Sequence, residues 1–214
     1  MVEESLEALE IKKEAAAAAL EMVAAIERDD NRTEKSTLSS QNWAIGAVAY
    51  LQALTDEGET KVGFVLRKAK LSPRPSPSIP CLELCGAVLA VELADHILDE
   101  LDYNPNAVKY YCDSKVVLGY NHNEFRRFFI YVHNRVQWIR QSTSSDQWNY
   151  VPMDQNPADL VTSSVAASQL NDTKWFTGPS FLYKLPQTQE REFFEQVNPK
   201  ADAEIRPCVT IFAI

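Results

Sequence analysis

The fold is decided by one stretch of sequence, NAVKYYCDSKVVLGY (106–120). Its first half places Val108, Tyr110 and Cys112 on one face of a strand, because side chains alternate between the two faces with a period of two residues. Asp113 ends this strand, and the residues SKVV then begin a short helix. In α/β sheets, strand ends and helix starts meet at one crevice, and ligands bind there. The stretch therefore predicts an α/β fold with Asp113 at its crevice.

Two more strands and a long helix are predicted upstream of this stretch. AIGAVAYL (44–51) is apolar, KVGFVLRKAKL (61–71) alternates, and the turn TDEGET (55–60) separates them, which indicates an antiparallel hairpin. The proline-rich SPRPSPSIP (72–80) must be extended, and its last proline opens a helix of about 20 residues. The predicted buried stripe of this helix consists of Val88, Val91, Ala94, Leu98 and Leu101.

Downstream, the sequence predicts a helix over 125–141, a strand over 147–153 and a last helix over 156–167. Asn156 suits the N-cap of the last helix and Pro157 its first position. The helix over 125–141 has a predicted core stripe of Phe129, Val132, Val136 and Ile139. The predicted order is strand, strand, helix, strand, helix, helix, strand, helix, which indicates a mixed α/β layer with an antiparallel start and parallel crossovers.

Three acidic residues occupy the strand ends and helix starts of this layer. Glu83 lies in the first turn of the long helix, Asp113 ends a strand, and Asp159 lies in the first turn of the last helix. Such carboxylates would suit hard cations such as Mg²⁺, and a pair of ions can promote phosphodiester hydrolysis. Singly, each acid is also explained by the helix dipole or by N-capping. Together, in this element order, they favour a metal site.

Four segments carry a resemblance to a known family: IPCLELCGAVLAVELA (79–94), YYCDSKVVLGY (110–120), RRFFIYVHNRVQWIR (126–140) and WNYVPMDQNPAD (148–159). Together they resemble the ribonuclease H domain of Pao (BEL/Pao-type) retrotransposon polyproteins, from about Trp43 to about Leu182. The resemblance implies a ribonuclease H-like mixed sheet flanked by helices. It also implies cleavage of the RNA strand of an RNA–DNA hybrid by four acids and two Mg²⁺ ions. The matching catalytic and metal-binding positions here are Glu83, Asp113 and Asp159.

The fourth acid of the family is not found where the resemblance places it. Counting back from Gly46, Ser39 occupies the position of the family's first-strand aspartate, and a hydroxyl is a poor metal ligand beside a carboxylate. Because STLSSQN (36–42) is polar and short, two alternatives stay open. Either a complete domain is altered at Ser39, or the sheet lacks its first strand.

Residues outside the resemblance complete the domain plan. The Ala, Leu, Glu and Lys content of residues 2–28 predicts a helix, so we expect a helical N-terminal extension over residues 1–35. The ribonuclease H-like domain is then expected over residues 36–167, and an irregular C-terminal tail over residues 168–214.

Composition narrows the class of protein. The acidic N-terminus is unlike a secretory signal, and no apolar run approaches the length that spans a bilayer, so we expect an intracellular protein, cytoplasmic or nuclear, with no membrane partner. The four cysteines lack zinc-finger spacing, which favours reduced thiols. The net charge of −9 argues against nucleic acid as a partner. Residues 36–142, however, carry as many basic as acidic residues, so a phosphate-binding groove is not excluded.

One predicted helix face suits a nucleic-acid backbone. Arg127, Tyr131, Arg135 and Trp138 would share it at helical spacing, since arginine binds phosphate and aromatic rings stack on bases. The basic residues Lys61, Arg67, Lys68, Lys70 and Arg74 would extend this patch. The alternative is a solvated helix face whose rings pack on a neighbouring loop.

Three functions are compatible with these features. The first is a retrotransposon-derived, Mg²⁺-dependent endonuclease acting on RNA–DNA hybrids, weakened or inactive here because one of four carboxylates is missing. The second is a non-catalytic nucleic-acid-binding remnant of that domain. The third is an interaction module that recruits a protein partner through residues 2–28.

Overall fold

A five-stranded mixed sheet lies at the centre of the computed structural model, which describes residues 15–28, 43–55, 57–72, 77–101, 107–158, 174–184 and 202–206. The strand order is β3-β2-β1-β4-β5. The strands are β1 (Ala15–Arg28), β2 (Trp43–Thr55), β3 (Thr60–Leu71), β4 (Ala107–Cys112) and β5 (Trp148–Tyr150). β1, β2 and β3 are antiparallel neighbours, whereas β4 pairs in parallel with both β1 and β5. The expected mixed α/β sheet is confirmed.

The central strand β1 corrects the prediction of a helix over 2–28, which is wrong for Ala15–Arg28. β1 pairs with β2 along its whole length and with β4 from Ala19 to Ala24. A central strand covered on both faces has a nearly continuous apolar sequence, as AAAAALEMVAAIER has. Helix propensity is a weak prior that tertiary pairing overrides. A first strand is therefore present, in the segment assigned to the N-terminal extension.

Two other predictions about this region lie outside the described residues. They are the remainder of the predicted helix, residues 2–14, and the segment 36–42 with Ser39.

The predicted hairpin is confirmed as β2 and β3. The backbone N–H of Thr55 donates to the Glu59 carbonyl at 2.9 Å, and the Gly58 N–H donates to the Thr55 carbonyl at 2.9 Å. Gly58 takes a positive φ of 83°, which glycine adopts without steric cost. Ala49 pairs with Leu66 and Tyr50 with Phe64, so β3 carries one extra residue at Val65. Such a bulge bends the strand locally.

Helix α1 (Ile79–Glu100) covers one face of the sheet. Ser78 caps its N-terminus by accepting from the Cys81 N–H at 3.4 Å, and Pro80 lies in its first turn as predicted. Of the predicted stripe, Val91 and Ala94 are buried, whereas Val88, Leu98 and Leu101 are partly buried at its margin. Most of its buried contact comes from other residues, namely Leu82, Leu84, Ala87, Leu89, Ala90, Leu93 and Ile97.

Helices α2 (Lys115–His122) and α3 (Ile130–Ser142) pack against α1 and against each other. In α3, Val132, Val136 and Ile139 are buried as predicted. Phe129, the fourth residue of the predicted stripe, precedes the helix and is 44% exposed, so its assignment to the core is wrong. The reason is a loop held by Asn123, whose side chain accepts from the N–H of Arg126 and donates to its carbonyl.

Residues 174–184, which belong to the predicted irregular tail, cover the second face of the sheet. They form the one-turn helix α4 (Lys174–Thr177) and a 3-10 turn, Ser180–Tyr183. Leu182 is 1% exposed and packs in a cluster with Val48, Tyr50 and Tyr111. Between the two elements, Gly178 takes a φ of 74°. These C-terminal residues are therefore part of the folded core.

A second C-terminal segment, residues 202–206, is named here the C-terminal clasp. The Tyr120 hydroxyl donates to the Asp202 carboxylate at 2.6 Å, and the Ser78 hydroxyl donates to the Glu204 carboxylate at 2.8 Å. Ile205 is buried and forms an antiparallel bridge with Phe128. The clasp thus joins the start of α1, the helix α2 and the loop before α3.

The last predicted strand is shorter than expected. β5 ends at Tyr150, and a 3-10 turn follows at Met153–Gln155. The predicted helix over 156–167 lies outside the described residues beyond Ala158. Across the described ranges, no helix combines the length and apolar character needed to span a bilayer.

Candidate functional site

Two of the three predicted carboxylates lie side by side at the carboxyl end of β4. Glu83 lies in the second turn of α1 and not in the first turn as predicted, because the helix begins at Ile79. Asp113 follows β4 directly. Both are partly buried, and the negative charge of Asp113 acts on Glu83. Asp159, the third predicted carboxylate, lies outside the described residues, so its role stays a prediction. The structure therefore brings Glu83 and Asp113 together. Their catalytic and metal-binding roles stay predictions.

Ser114 joins Glu83 to the start of α2. Its hydroxyl donates to Glu83 Oε2 at 2.5 Å and accepts from the Val117 N–H at 3.2 Å, which makes Ser114 the N-cap of α2. Ser114 is 5% exposed. Asp113 and Ser114, at the junction between β4 and α2, therefore supply one carboxylate and hold the carboxylate of Glu83 in place.

Asn156 has the same relation to Asp113. Its side-chain oxygen accepts from the Ala158 N–H at 3.0 Å, as expected of the N-cap residue that the sequence predicted. Its side chain also hydrogen-bonds to the Asp113 carboxyl. Asn156 is buried. Its two hydrogen bonds connect the segment 156–158 to the end of β4.

Burial raises the pKa of both carboxyls above their usual range. For Glu83, burial is the largest cause, the Ser114 hydrogen bond lowers the pKa, and the charge of Asp113 raises it. For Asp113, burial again raises the pKa, while hydrogen bonds from Asn156 and from its own backbone lower it. Two close, partly desolvated acids repel each other unless a proton or a cation reduces their charge.

The donor set fits a hard divalent cation. Carboxylate oxygens are the ligands that Mg²⁺ prefers. Within the described ranges, neither Glu83 nor Asp113 forms a salt bridge. Also within those ranges, no group of three histidine, cysteine or acidic residues is assembled. Glu83 and Asp113 are the residues that would hold the ion.

The neighbouring strand places a small residue beside Asp113. The last pair is Ala24 with Cys112, and the next residue along each chain segment is Ala25 in β1 and Asp113 directly after β4. The sequence MVAAIER, residues 22–28, contains a single acid, Glu27. The sequence pattern did not reveal this position because residues 15–28 were predicted to be helical.

The predicted substrate face is only partly assembled. Arg127 precedes α3, so its predicted place on a shared helix face is wrong: the helix begins three residues later than the face required. Tyr131, Arg135 and Trp138 lie on α3 at positions i, i+4 and i+7, and Trp138 is 47% exposed. The Arg135 guanidinium lies 3.5 Å from the Tyr131 ring centroid, and the Tyr131 hydroxyl contacts Cys85 Sγ at 3.2 Å.

Four of the basic residues predicted to extend this patch, Lys61, Arg67, Lys68 and Lys70, belong to the strand β3, at one end of the strand order. Arg67 and Lys68 are exposed, and Lys70 forms an ion pair with Glu92 of α1 at 2.6 Å. Arg74 lies outside the described residues. Because Lys70 is paired within the chain, it is less available for phosphate than its sequence suggested.

Comparison with known proteins supports the resemblance over part of the chain. Residues 37–114 match the family model described as the Pao retrotransposon-like RNaseH-like domain. This match includes Glu83 and Asp113 and ends at Ser114. The predicted resemblance is confirmed over these residues. No curated protein matches the sequence.

Two solved structures are similar to this chain. One is RNase H1 from the halophilic archaeon Halobacterium salinarum NRC-1, with 16% identity and a TM-score of 0.45 over 72% of this chain and 99% of that chain. The other is an N-terminal RNase H domain from Mycobacterium tuberculosis, solved as a fusion with maltose-binding protein. It has 13% identity and a TM-score of 0.44 over 68% of this chain and 96% of that chain.

Proposed function

We propose that this chain, whose residues 37–114 match a Pao retrotransposon-like RNaseH-like domain, is a retrotransposon-derived nucleic-acid-binding domain with an impaired nuclease site. Its ancestral activity is Mg²⁺-dependent cleavage of RNA in RNA–DNA hybrids. The observation that carries the proposal is the carboxylate pair, Glu83 and Asp113, held at the carboxyl end of β4 beside β1.

The chemistry follows from the residues at this edge. When bound, Mg²⁺ would supply an activated water and charge stabilisation at the leaving oxygen. Glu83 and Asp113 supply the negative charge that retains the ion, and Asp159 is proposed as a further ligand. Ser114 and Asn156 fix the direction of the two carboxylates through their hydrogen bonds.

Impairment is proposed because the strand next to Asp113 offers no carboxylate at the adjacent position. That position is Ala25 if the register of β1 and β4 is continued by one residue beyond its last pair, Ala24 and Cys112. The sequence resemblance places the missing aspartate instead at Ser39. Either way, a four-carboxylate site is reduced to three, and losing a ligand weakens ion binding and misplaces the attacking water.

Cleavage of an RNA–DNA hybrid in Mg²⁺ tests this proposal. We expect the parent chain to cleave the hybrid very slowly or not at all. If β1 is the first strand of the nuclease site, Ala25→Asp restores cleavage and Ser39→Asp does not. The reverse result would assign that place to residues 36–42.

Each restored variant is then combined with Asp113→Asn, which must abolish the new activity if the same carboxylate site is responsible. Robust cleavage by the parent chain would contradict the proposed impairment.

The second candidate function, binding of nucleic acid without cleavage, is favoured by the exposed Trp138, which lies three residues after the cationic Arg135 on α3. An exposed ring can stack on a base, and arginine binds phosphate. We expect Arg135→Ala to weaken hybrid binding and to reduce the dependence of log affinity on log salt by roughly one unit.

Arg126→Ala and Arg127→Ala are the matched controls, since both arginines precede α3. Arg126 was never part of the predicted face, so its loss should leave binding unchanged. Arg127 belongs to the predicted face, and its loss should weaken hybrid binding less than the loss of Arg135 does. An unchanged affinity and salt slope for Arg135→Ala would remove α3 as the binding surface.

A further inference from the structure

Ser114 and Asn156 make the same pair of bonds at two separate places in the chain. Each accepts from a backbone N–H two or three residues ahead, Val117 for Ser114 and Ala158 for Asn156. Each also bonds to one carboxylate, Glu83 for Ser114 and Asp113 for Asn156. Both side chains are buried, with 5% exposure each.

The chemistry of these groups fixes which atom faces each carboxylate. A serine hydroxyl has one proton, and here that proton is donated to Glu83 while the oxygen accepts from Val117. In Asn156 the side-chain oxygen is engaged by the Ala158 N–H, so its amide NH₂ is the group that donates to Asp113. In both hydrogen bonds, the serine or asparagine side chain is the donor and a carboxylate oxygen is the acceptor.

Donated hydrogen bonds occupy one side of each carboxylate and leave its other lone pairs for an ion. A ligand held in this way loses less conformational freedom when it binds a metal, because its rotamer is already selected. The arrangement also links the ligands to two turns of backbone, the start of α2 and the segment 156–158.

We propose that Ser114 and Asn156 are positioning residues of the divalent-cation site, each of which orients one carboxylate ligand through a backbone cap. This inference rests on the proposed function, since it requires that Glu83 and Asp113 hold a cation. Ser114 and Asn156 are uncharged and contact the carboxylates, so they raise the affinity of the site through the orientation of its ligands.

Binding of Mn²⁺ measured by calorimetry on the full chain tests the proposal. Ser114→Gly and Asn156→Gly remove the donors, while glycine remains an acceptable N-cap residue. We expect each variant to bind Mn²⁺ about 10-fold or more weakly than the parent, the effect typical of groups that orient metal ligands. Ser114→Thr keeps both hydrogen bonds and should restore affinity.

Two controls separate positioning from general destabilisation. Ser144→Gly makes the same substitution at a serine that contacts Gln147 and neither carboxylate, so Mn²⁺ affinity should not change. Glu83→Gln removes a ligand and should abolish binding. Thermal unfolding without metal shows whether each variant is folded at the temperature of the titration.

The outcomes distinguish this inference from the proposed function. If Glu83→Gln abolishes binding while Ser114→Gly and Asn156→Gly bind as tightly as the parent, the positioning role is overturned and the cation site stands. If the parent binds no Mn²⁺, or Glu83→Gln binds it equally well, the cation site fails and the positioning role fails with it.

Discussion

At the scale of single residues, Gly178 lacks room for a side chain. Its φ of 74° is unfavourable for other residues, and a Cβ atom there would lie 2.9 Å from Cγ1 of Val62. We expect Gly178→Ala to lower the free energy of unfolding by about 2–4 kcal/mol, from backbone strain together with overpacking. Urea denaturation measures this change.

Gly58 is the matched control for this substitution. It has a similar φ of 83°, yet a Cβ atom there would meet nothing within 4 Å. Gly58→Ala should therefore cost only the backbone term, about 1–2 kcal/mol. Equal losses at the two positions would show that the contact with Val62 contributes nothing.

Individual site residues differed in how well the sequence predicted them. Glu83 and Asp113 could be found because an acid at a strand end or in an early helical turn is visible in the sequence. Asn156 was predicted as a cap, and its bond to Ala158 agrees. Its second bond, to Asp113, depends on two segments 43 residues apart meeting in space. The contact of Ser114 with Glu83 likewise joins residues 31 positions apart. Local patterns contain no information on such contacts.

At the scale of elements, the assignment of residues 15–28 to a central strand can be tested at Met22, the one side chain of β1 whose burial the structure describes. Met22 is fully buried in the core beside α1. We expect Met22→Ala to lower the free energy of unfolding by about 2–5 kcal/mol, and Met22→Leu to cost less than about 1.5 kcal/mol because it conserves volume. In a solvated helical extension, neither substitution would change the unfolding transition.

The same element shows where prediction from sequence failed. The alanine-rich run of β1 satisfies helix propensity and also the apolar requirement of a strand buried on both faces, so sequence alone does not distinguish them. The pairing of β1 with Tyr110 and Val48, on strands far away in the chain, decides the outcome. By contrast, the hairpin of β2 and β3 has a local turn signal at Gly58, and its prediction succeeded.

Element ends were predicted less well than element types. The helix expected from residue 125 begins at Ile130, because Asn123 bonds to the backbone of Arg126 and holds a loop there. This shift moved Arg127 off the helix and exposed Phe129. One local hydrogen-bonded turn thus changed both a predicted core residue and a predicted binding residue.

At the scale of the whole molecule, the C-terminal clasp connects parts of the chain that are distant in sequence. Asp202→Ala leaves the buried Tyr120 hydroxyl without its acceptor, which should cost about 1–3 kcal/mol of unfolding free energy. In a Tyr120→Phe background the same substitution should cost less, because no hydroxyl remains to be left unpaired. Chemical denaturation of the four proteins measures this coupling.

Glu204→Ala is the control for the clasp. Its carboxylate bonds to the exposed Ser78 hydroxyl, so its loss should change stability by less than about 1 kcal/mol. If Asp202→Ala costs the same in both backgrounds, the bond to Tyr120 is not what stabilises the clasp.

The position of β1 between β2 and β4 has a kinetic consequence. β1, β2 and β3 are consecutive antiparallel strands, whereas β4 reaches β1 only after α1 and a separation of 88 residues between paired positions such as Met22 and Tyr110. Closing the larger loop is the slower event. During folding, a three-stranded intermediate would expose the bare edge of β1, a long apolar template for intermolecular pairing. The step that buries this edge is also the step that brings Asp113 to the site, so slower assembly of the site leaves the edge of β1 exposed to aggregation for longer.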